Sequence, residues 1–278
     1  MRWIVALMSL LLVVAAPTMS QSIHDRIYRP PHAPLTAADL PVGAKLVTVT
    51  TRDGLTLTGA EVPARDDHPT LLVFHGNASS AASTLAWFAP LIARGYGVVA
   101  AEYRGYAGNP GRPDEKGLEA DAEAFYAEAD KLAAGHHLFV IGHSLGGGVA
   151  FGVAQHHHLD ALITVGTFTR LRAMAPRIAR AFVSDRFDNL AGVKCLDEPL
   201  FLIHGSADDT VPASEGNQLY RAAREAHKPG AAFVVEGAGH HPDAATIEAI
   251  VEAIDARVEH PKDAGTPLPR NVRTYPFD

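Results

Sequence analysis

Leu138-Phe139-Val140-Ile141-Gly142-His143-Ser144-Leu145-Gly146-Gly147-Gly148 opens with four apolar residues and ends in small ones. Four consecutive apolar side chains fit a strand buried on both faces. Leu145 and the small residues after it fit the start of a closely packed helix. Between the two stands G-x-S-x-G. Its glycines let the chain turn sharply and pack tightly, which pushes Ser144 out at the strand's end. The first turn of the helix then offers backbone N–H groups to developing negative charge. This order of elements predicts a serine nucleophile at the edge of a parallel sheet.

The flanking sequence keeps the same rhythm. Nearly continuous apolar runs recur at 70–74, 98–102, 138–141, 161–165, 200–203 and 232–235. Helical patterns separate them at 81–94, 115–134, 145–156, 213–227 and 243–257. In one of these, Leu118, Ala122, Phe125, Ala129 and Leu132 recur at helical spacing and make one apolar face. Strands alternating with helices predict βαβ units with right-handed crossovers. Ahead of them, residues 45–50 alternate as a strand, Arg52-Asp53-Gly54 turns, and 55–62 returns.

One connection is longer than the rest. Residues 169–198 are read as a small lid over the carboxyl edge of the sheet. Leu171, Met174, Ala175, Ile178, Ala181, Phe182 and Val183 supply an apolar face there. That face either receives an acyl chain or packs the lid onto the sheet, with Leu171, Met174, Ile178 and Phe182 as the substrate-contact candidates.

The chain of 278 residues is long enough for one large α/β domain with a full core. Its net charge of −7 and the lack of a basic tract exclude a nucleic-acid partner. The single cysteine, Cys195, rules out an intrachain disulfide and a CxxC metal knuckle, and reads as a buried thiol. Arg2 followed by an apolar run to Ala16 and then Pro17-Thr18-Met19-Ser20-Gln21 reads as an export signal within residues 1–20. An uncleaved anchor, with membrane association through the N-terminus, is the rival reading. Export points to a bacterial periplasm. Residues 21–44 read as a loose lead-in, 45–260 as the folded domain, and the Pro-rich 261–278 as a flexible tail.

A serine hydroxyl needs a base, and the base needs an orienting acid. On this topology they follow the serine in the order acid, then histidine, at the ends of later strands. The run 200–203 leads into His204-Gly205-Ser206-Ala207-Asp208-Asp209-Thr210-Val211-Pro212. The run 232–235 leads into Glu236-Gly237-Ala238-Gly239-His240-His241. Either Asp208 or Asp209 is the candidate acid, and either His240 or His241 the base. The bland readings are a capping or solvated Asp209 and a loop histidine at 241.

The chain has 15 histidines, so most are structural or on the surface. His156-His157-His158 is the one run that invites a metal reading, but adjacent side chains point in different directions. No catalytic metal and no cofactor are expected. Two backbone N–H groups should receive the oxyanion. One is Leu145, after the serine. The other is Asn77, in Phe74-His75-Gly76-Asn77-Ala78 after the first parallel strand. Asn77 also reads as a cap for the next helix.

Together, Phe74-His75-Gly76-Asn77-Ala78, Glu102-Tyr103-Arg104-Gly105-Tyr106, Gly142-His143-Ser144-Leu145-Gly146-Gly147, His204-Gly205 with Asp208 and Val211-Pro212, and Gly237-Ala238-Gly239-His240 resemble the α/β-hydrolase superfamily. The branch they resemble holds α/β-hydrolase-domain proteins related to serine aminopeptidases, some of them protein depalmitoylases. Arg186-Phe187-Asp188-Asn189-Leu190 is similar to that branch as well.

The resemblance spans about residues 45–257. It implies an α/β-hydrolase fold, a mostly parallel eight-stranded sheet flanked by helices with a small lid. It puts the acid on Asp208, the base on His240 and the oxyanion donors on Asn77 and Leu145. The implied activity is serine hydrolysis of a small-molecule or acyl-chain ester or thioester. The alternatives are an amide or peptide hydrolase of the serine aminopeptidase type, an acyl-transferase or perhydrolase, and a non-catalytic binding protein. Two departures stand out. Glu102 replaces the usual Asp, and Ala107-Gly108-Asn109-Pro110 replaces the usual Gly-Ser. Both are expected at the mouth of the site, altering substrate fit. The reading leaves the oligomeric state open.

Overall fold

Strands without a polar face must be covered on both sides. The computed structural model, which describes residues 24, 27–175, 180, 183–260 and 266–278, has that architecture. The strands are β1 (Lys45–Thr50), β2 (Thr56–Val62), β3 (Thr70–Phe74), β4 (Gly97–Ala100), β5 (Leu138–His143), β6 (Ala161–Val165), β7 (Leu200–Gly205), β8 (Gly230–Val235) and β9 (Val272–Pro276). They form one sheet in the order β1-β2-β4-β3-β5-β6-β7-β8-β9. The strands from β4 across to β8 run parallel, while β1, β2 and β9 pair antiparallel. From β3 the chain steps outward to β4, then crosses back to β5 on the other side. Such a reversal of strand order opens a crevice at the carboxyl ends.

The helices among the described residues are α1 (Ala81–Trp87), α2 (Ala89–Arg94), α3 (Glu115–Ala133), α4 (Leu145–Ala154), α5 (Leu171–Met174), α6 (Asn189–Cys195), α7 (Ala213–Glu225) and α8 (Ala244–Glu259). α1, α2 and α8 cover one face of the sheet; α3, α4, α6 and α7 cover the other. The period of two along each strand divides the core between these faces. Leu72 and Phe74 of β3 join the core under α3 and α4, and Leu71 and Val73 join the opposite one. β5 splits the same way, Leu138 and Val140 against Phe139 and Ile141.

Several expectations change. The pattern at 81–94 breaks into two helices at Phe88. Pro90 has no N–H to donate within a long helix, but sits without cost in the first turn of α2. The tail is not loose throughout: β9 pairs with β8 from Val235↔Val272 to Ala231↔Pro276, making nine strands instead of eight. Buried Phe277 anchors its end, and Pro276 is tolerated because β9 is an edge strand.

The lead-in is also docked. Tyr28 is buried, and its hydroxyl donates to Asp185 Oδ2 at 2.5 Å. Further on, Ala107 N donates to Pro31 O at 2.8 Å and Leu35 N to Ala107 O at 3.0 Å. One aromatic and a few backbone bonds have no periodicity for a sequence reading to detect. Cys195, at the end of α6, is exposed and not buried. The run read as an export signal, and the lid candidates Ile178, Ala181 and Phe182, lie outside the described residues.

Candidate active site

Ser144 stands between β5 and α4 with φ 54° and ψ −115°, a region L-residues rarely enter. Glycine makes the turn feasible. A Cβ on Gly142 would lie 2.3 Å from Gly146 O, and one on Gly146 would lie 2.0 Å from Phe74 O. The loop after β6 grips the turn: Ser144 N donates to Val165 O at 2.9 Å, and Thr167 Oγ1 donates to Ser144 O at 2.9 Å. Leu145 is the first residue of α4, so its N–H has no acceptor within the helix.

The structure separates the two carboxylates and the two histidines that the sequence left paired. Asp208, after β7, is buried, and its Oδ2 lies 2.8 Å from His240 Nδ1. Its Oδ1 accepts from Thr210 N at 2.9 Å and Val211 N at 2.8 Å. Burial opposes the charge, but the bonds from His240 and these N–H groups prevail, holding Asp208 below the usual carboxylate range. Asp209 is exposed. His241 turns away and packs its ring on Trp87, with centroids 3.8 Å apart. Trp87 Nε1 in turn donates to Pro242 O at 2.9 Å, which fixes the end of the histidine loop.

Two contacts bring the Asp208–His240 pair to the serine turn. A Cβ on Gly166 would sit 3.1 Å from His240 Nδ1 and 3.3 Å from Asp208 Oδ2, so the loop that holds Ser144 also abuts the pair. His143, beside the serine, is buried with its ring 4.8 Å from the His240 ring. Its Nε2–H donates to the His240 carbonyl at 3.0 Å. Burial and the neighbouring His240 push the His143 pKa down to about 3, so this ring is neutral. The sequence marks His143 only as the variable residue of the motif, with no signal for this tether.

The loop after β3 lies against the same turn. Asn77 does not cap α1; Ser80 does, its side chain accepting from Ser83 N. The Asn77 side chain instead holds the lead-in. Its Oδ1 accepts from Arg29 N at 2.7 Å and Tyr106 OH at 3.0 Å, and its Nδ2 donates to Ile27 O. Of the two departures at 102 and 107–110, the first lies inside the fold and not at a mouth. Glu102 is fully buried, with Oε1 2.9 Å from His75 Nε2 and Oε2 accepting from Ala81 N at 2.8 Å. The longer carboxylate thereby reaches both the loop after β3 and the start of α1. Asn109 clips to β2, accepting from Thr58 N at 2.8 Å and donating to Thr58 O at 3.1 Å.

In the 169–198 region, Leu171 is buried and Met174 packs partly buried against the core. Asn189, in the 186–190 motif, is buried and donates to Phe168 O at 2.8 Å, tying the region to the loop after β6. The histidine run splits as adjacent side chains must. His157 Nε2 lies 2.6 Å from Glu123 Oε2, and His158 Nδ1 lies 3.4 Å from Glu198 Oε1.

Known proteins resemble the chain in sequence and in fold. A family model for serine aminopeptidase, S33, matches residues 65–191. An uncharacterized protein of Mycobacterium tuberculosis is 34 % identical over 228 residues, covering 77 % of this chain and 79 % of that protein. A lysophosphatidylserine lipase of Danio rerio is 29 % identical over 186 residues, covering 58 % of this chain and 49 % of the lipase. Among solved structures, an esterase of Pyrococcus furiosus superposes with a TM-score of 0.61 at 22 % identity, covering 84 % of this chain and 96 % of the esterase. The chain therefore belongs to the α/β-hydrolase superfamily.

Proposed function

We propose that this hydrolase cleaves a carboxylic ester or thioester through a Ser144–His240–Asp208 triad and an acyl-enzyme. The observation that carries the reading is the buried Asp208 carboxylate 2.8 Å from His240 Nδ1, at the sheet edge where Ser144 leaves β5. A carboxylate on Nδ1 fixes the tautomer whose Nε2 lone pair accepts a proton. His240 takes the Ser144 hydroxyl proton as Oγ bonds to the substrate carbonyl carbon. The carbonyl electrons move onto oxygen, where the Asn77 and Leu145 N–H groups receive them. Collapse breaks the bond to the alcohol or thiol, which leaves with the proton from His240. Water then attacks the acyl carbon, giving its proton to His240. The carboxylic acid departs as Ser144 Oγ recovers that proton. Asp208 stabilises the imidazolium in both halves.

A relative named as a lipase and a structural neighbour named as an esterase support an ester substrate. The serine aminopeptidase model favours amide hydrolysis as a second reading that uses the same residues. The apolar N-terminal run supports an exported or membrane-tethered enzyme, with residues 169–198 selecting the acyl chain. Hydrolysis of p-nitrophenyl esters from acetyl to palmitoyl tests the function, with Ser144→Ala as the blank and an aminoacyl p-nitroanilide for the amide reading. Ester turnover that depends on Ser144 is the expected result. Turnover that survives Ser144→Ala overturns it.

A further inference from the structure

A peptide unit is planar and trans, so its C=O and N–H point in opposite directions. The Gly76 carbonyl and the Asn77 N–H are one such unit. Whatever holds that carbonyl also aims that N–H. The need is real, because glycine imposes little preference of its own on the peptide. A rotated peptide would present a carbonyl oxygen where a donor is required. The unit also lies against the serine turn: a Cβ on Gly76 would be 2.8 Å from His143 Nδ1 and 3.2 Å from Ser144 Cβ.

The Gly76 carbonyl is held chiefly by His75, with the Ser79 N–H a longer donor at 3.3 Å. His75 Nδ1 lies 2.8 Å from Gly76 O, and His75 Nε2 lies 2.9 Å from Glu102 Oε1. Both side chains are buried. Glu102 is itself braced by Ala81 N at 2.8 Å, and the His75 carbonyl accepts from Tyr103 OH at 2.9 Å. A carbonyl oxygen can only accept, so His75 Nδ1–H is the donor toward Gly76 O.

We propose that His75 and Glu102 are positioning residues, which aim the Asn77 N–H at the oxyanion by holding the Gly76 carbonyl. The inference rests on the serine-hydrolase reading above and adds to it the pair that builds the oxyanion hole. A buried pair that served folding alone would be indifferent to which nitrogen is kept. Positioning is not: only the Nδ1 donor matters to the peptide.

The test uses this asymmetry in the full chain. In His75→Asn the amide nitrogen takes the place of Nδ1 and keeps the bond to Gly76. In His75→Gln it takes the place of Nε2 and keeps only the Glu102 contact. His75→Gln should lose about 10- to 100-fold in kcat at nearly unchanged KM, and bind a trifluoromethyl ketone weaker by a similar factor. His75→Asn should recover most of both. Equal losses in the two variants, or full kcat in His75→Gln, overturn the proposal.

Should His75→Gln fail to fold, ¹⁵N-labelled wild-type protein decides. On adding the ketone, the Asn77 amide proton and the His75 Nδ1–H should both move; a stationary His75 resonance overturns the proposal. Failure of the underlying reading looks different. Wild type would then neither hydrolyse the esters nor take a fluorophosphonate on Ser144, and the inference would fall with it.

Discussion

Asp208 divides its two oxygens between two tasks: Oδ2 faces His240 Nδ1 at 2.8 Å, while Oδ1 takes the Thr210 and Val211 N–H groups. The carboxylate is thus locked to its own loop as well as to His240. Asp208→Asn should lower kcat by about 10³- to 10⁴-fold, the scale at which an amide in this place favours the wrong tautomer. Asp209→Asn, at an exposed side chain, should leave kcat within about 2-fold. Steady-state kinetics on one p-nitrophenyl ester compares them. Equal effects would mean the acid had been misassigned.

The two histidines should separate as cleanly. His240→Gln is expected to remove turnover to the level of Ser144→Ala. His241→Gln loses the ring contacts with Trp87 at 3.8 Å and His143 at 5.3 Å and should keep most of kcat. Fluorophosphonate labelling of Ser144 gives a second readout. Normal labelling in His240→Gln would contradict its role as base.

Ser144 occupies φ 54° and ψ −115°, where glycine is at ease and serine is strained. Ser144→Gly should therefore abolish activity yet raise unfolding free energy by about 1 kcal/mol. Urea denaturation of the two proteins measures it. A variant less stable than wild type would show that the turn stores no strain.

His143 gives the fold a dependence on pH. Its pKa in the folded protein is about 3, against an ordinary value near 6.5. The surrounding titratable groups are His240, His241 and Asp208. Above pH 6.5 the ring is neutral in both states, and its contribution is fully present. Below that pH the unfolded chain takes a proton that the folded chain refuses. Stability is therefore lost as pH falls from 6.5 toward 3, by at most about 1.4 kcal/mol per pH unit from this group. Urea midpoints at pH 7.5 and 5 should converge more in His143→Gln than in wild type. An unchanged difference would assign the acid sensitivity to other groups.

The docked lead-in should matter to stability. Tyr28→Phe deletes the donor that lies 2.5 Å from Asp185 Oδ2 and leaves a buried carboxylate less satisfied. The expected cost is about 1–3 kcal/mol. In Asp185→Asn the same Tyr28→Phe change should cost measurably less, because the two share one bond. Additive losses would mean the contact does not form in solution.

Order and spacing along the chain were enough for the parallel sheet, the turn at Ser144, and the positions of the loops that carry Asp208 and His240. Periodicity and glycine placement are local, and each states directly which face is buried and where the backbone must turn. Folding had to choose between neighbours. Asp208 and Asp209 have the same chemistry, and only their opposite exposure separates them. His240 and His241 are told apart by what each ring meets, a carboxylate in one case and Trp87 in the other. The sheet edge at β9, the Tyr28 anchor and the His75–Glu102 brace were illegible for a related reason. Each joins residues far apart along the chain through one or two contacts, and such contacts have no period. They exist once the sheet has brought their partners within hydrogen-bond reach.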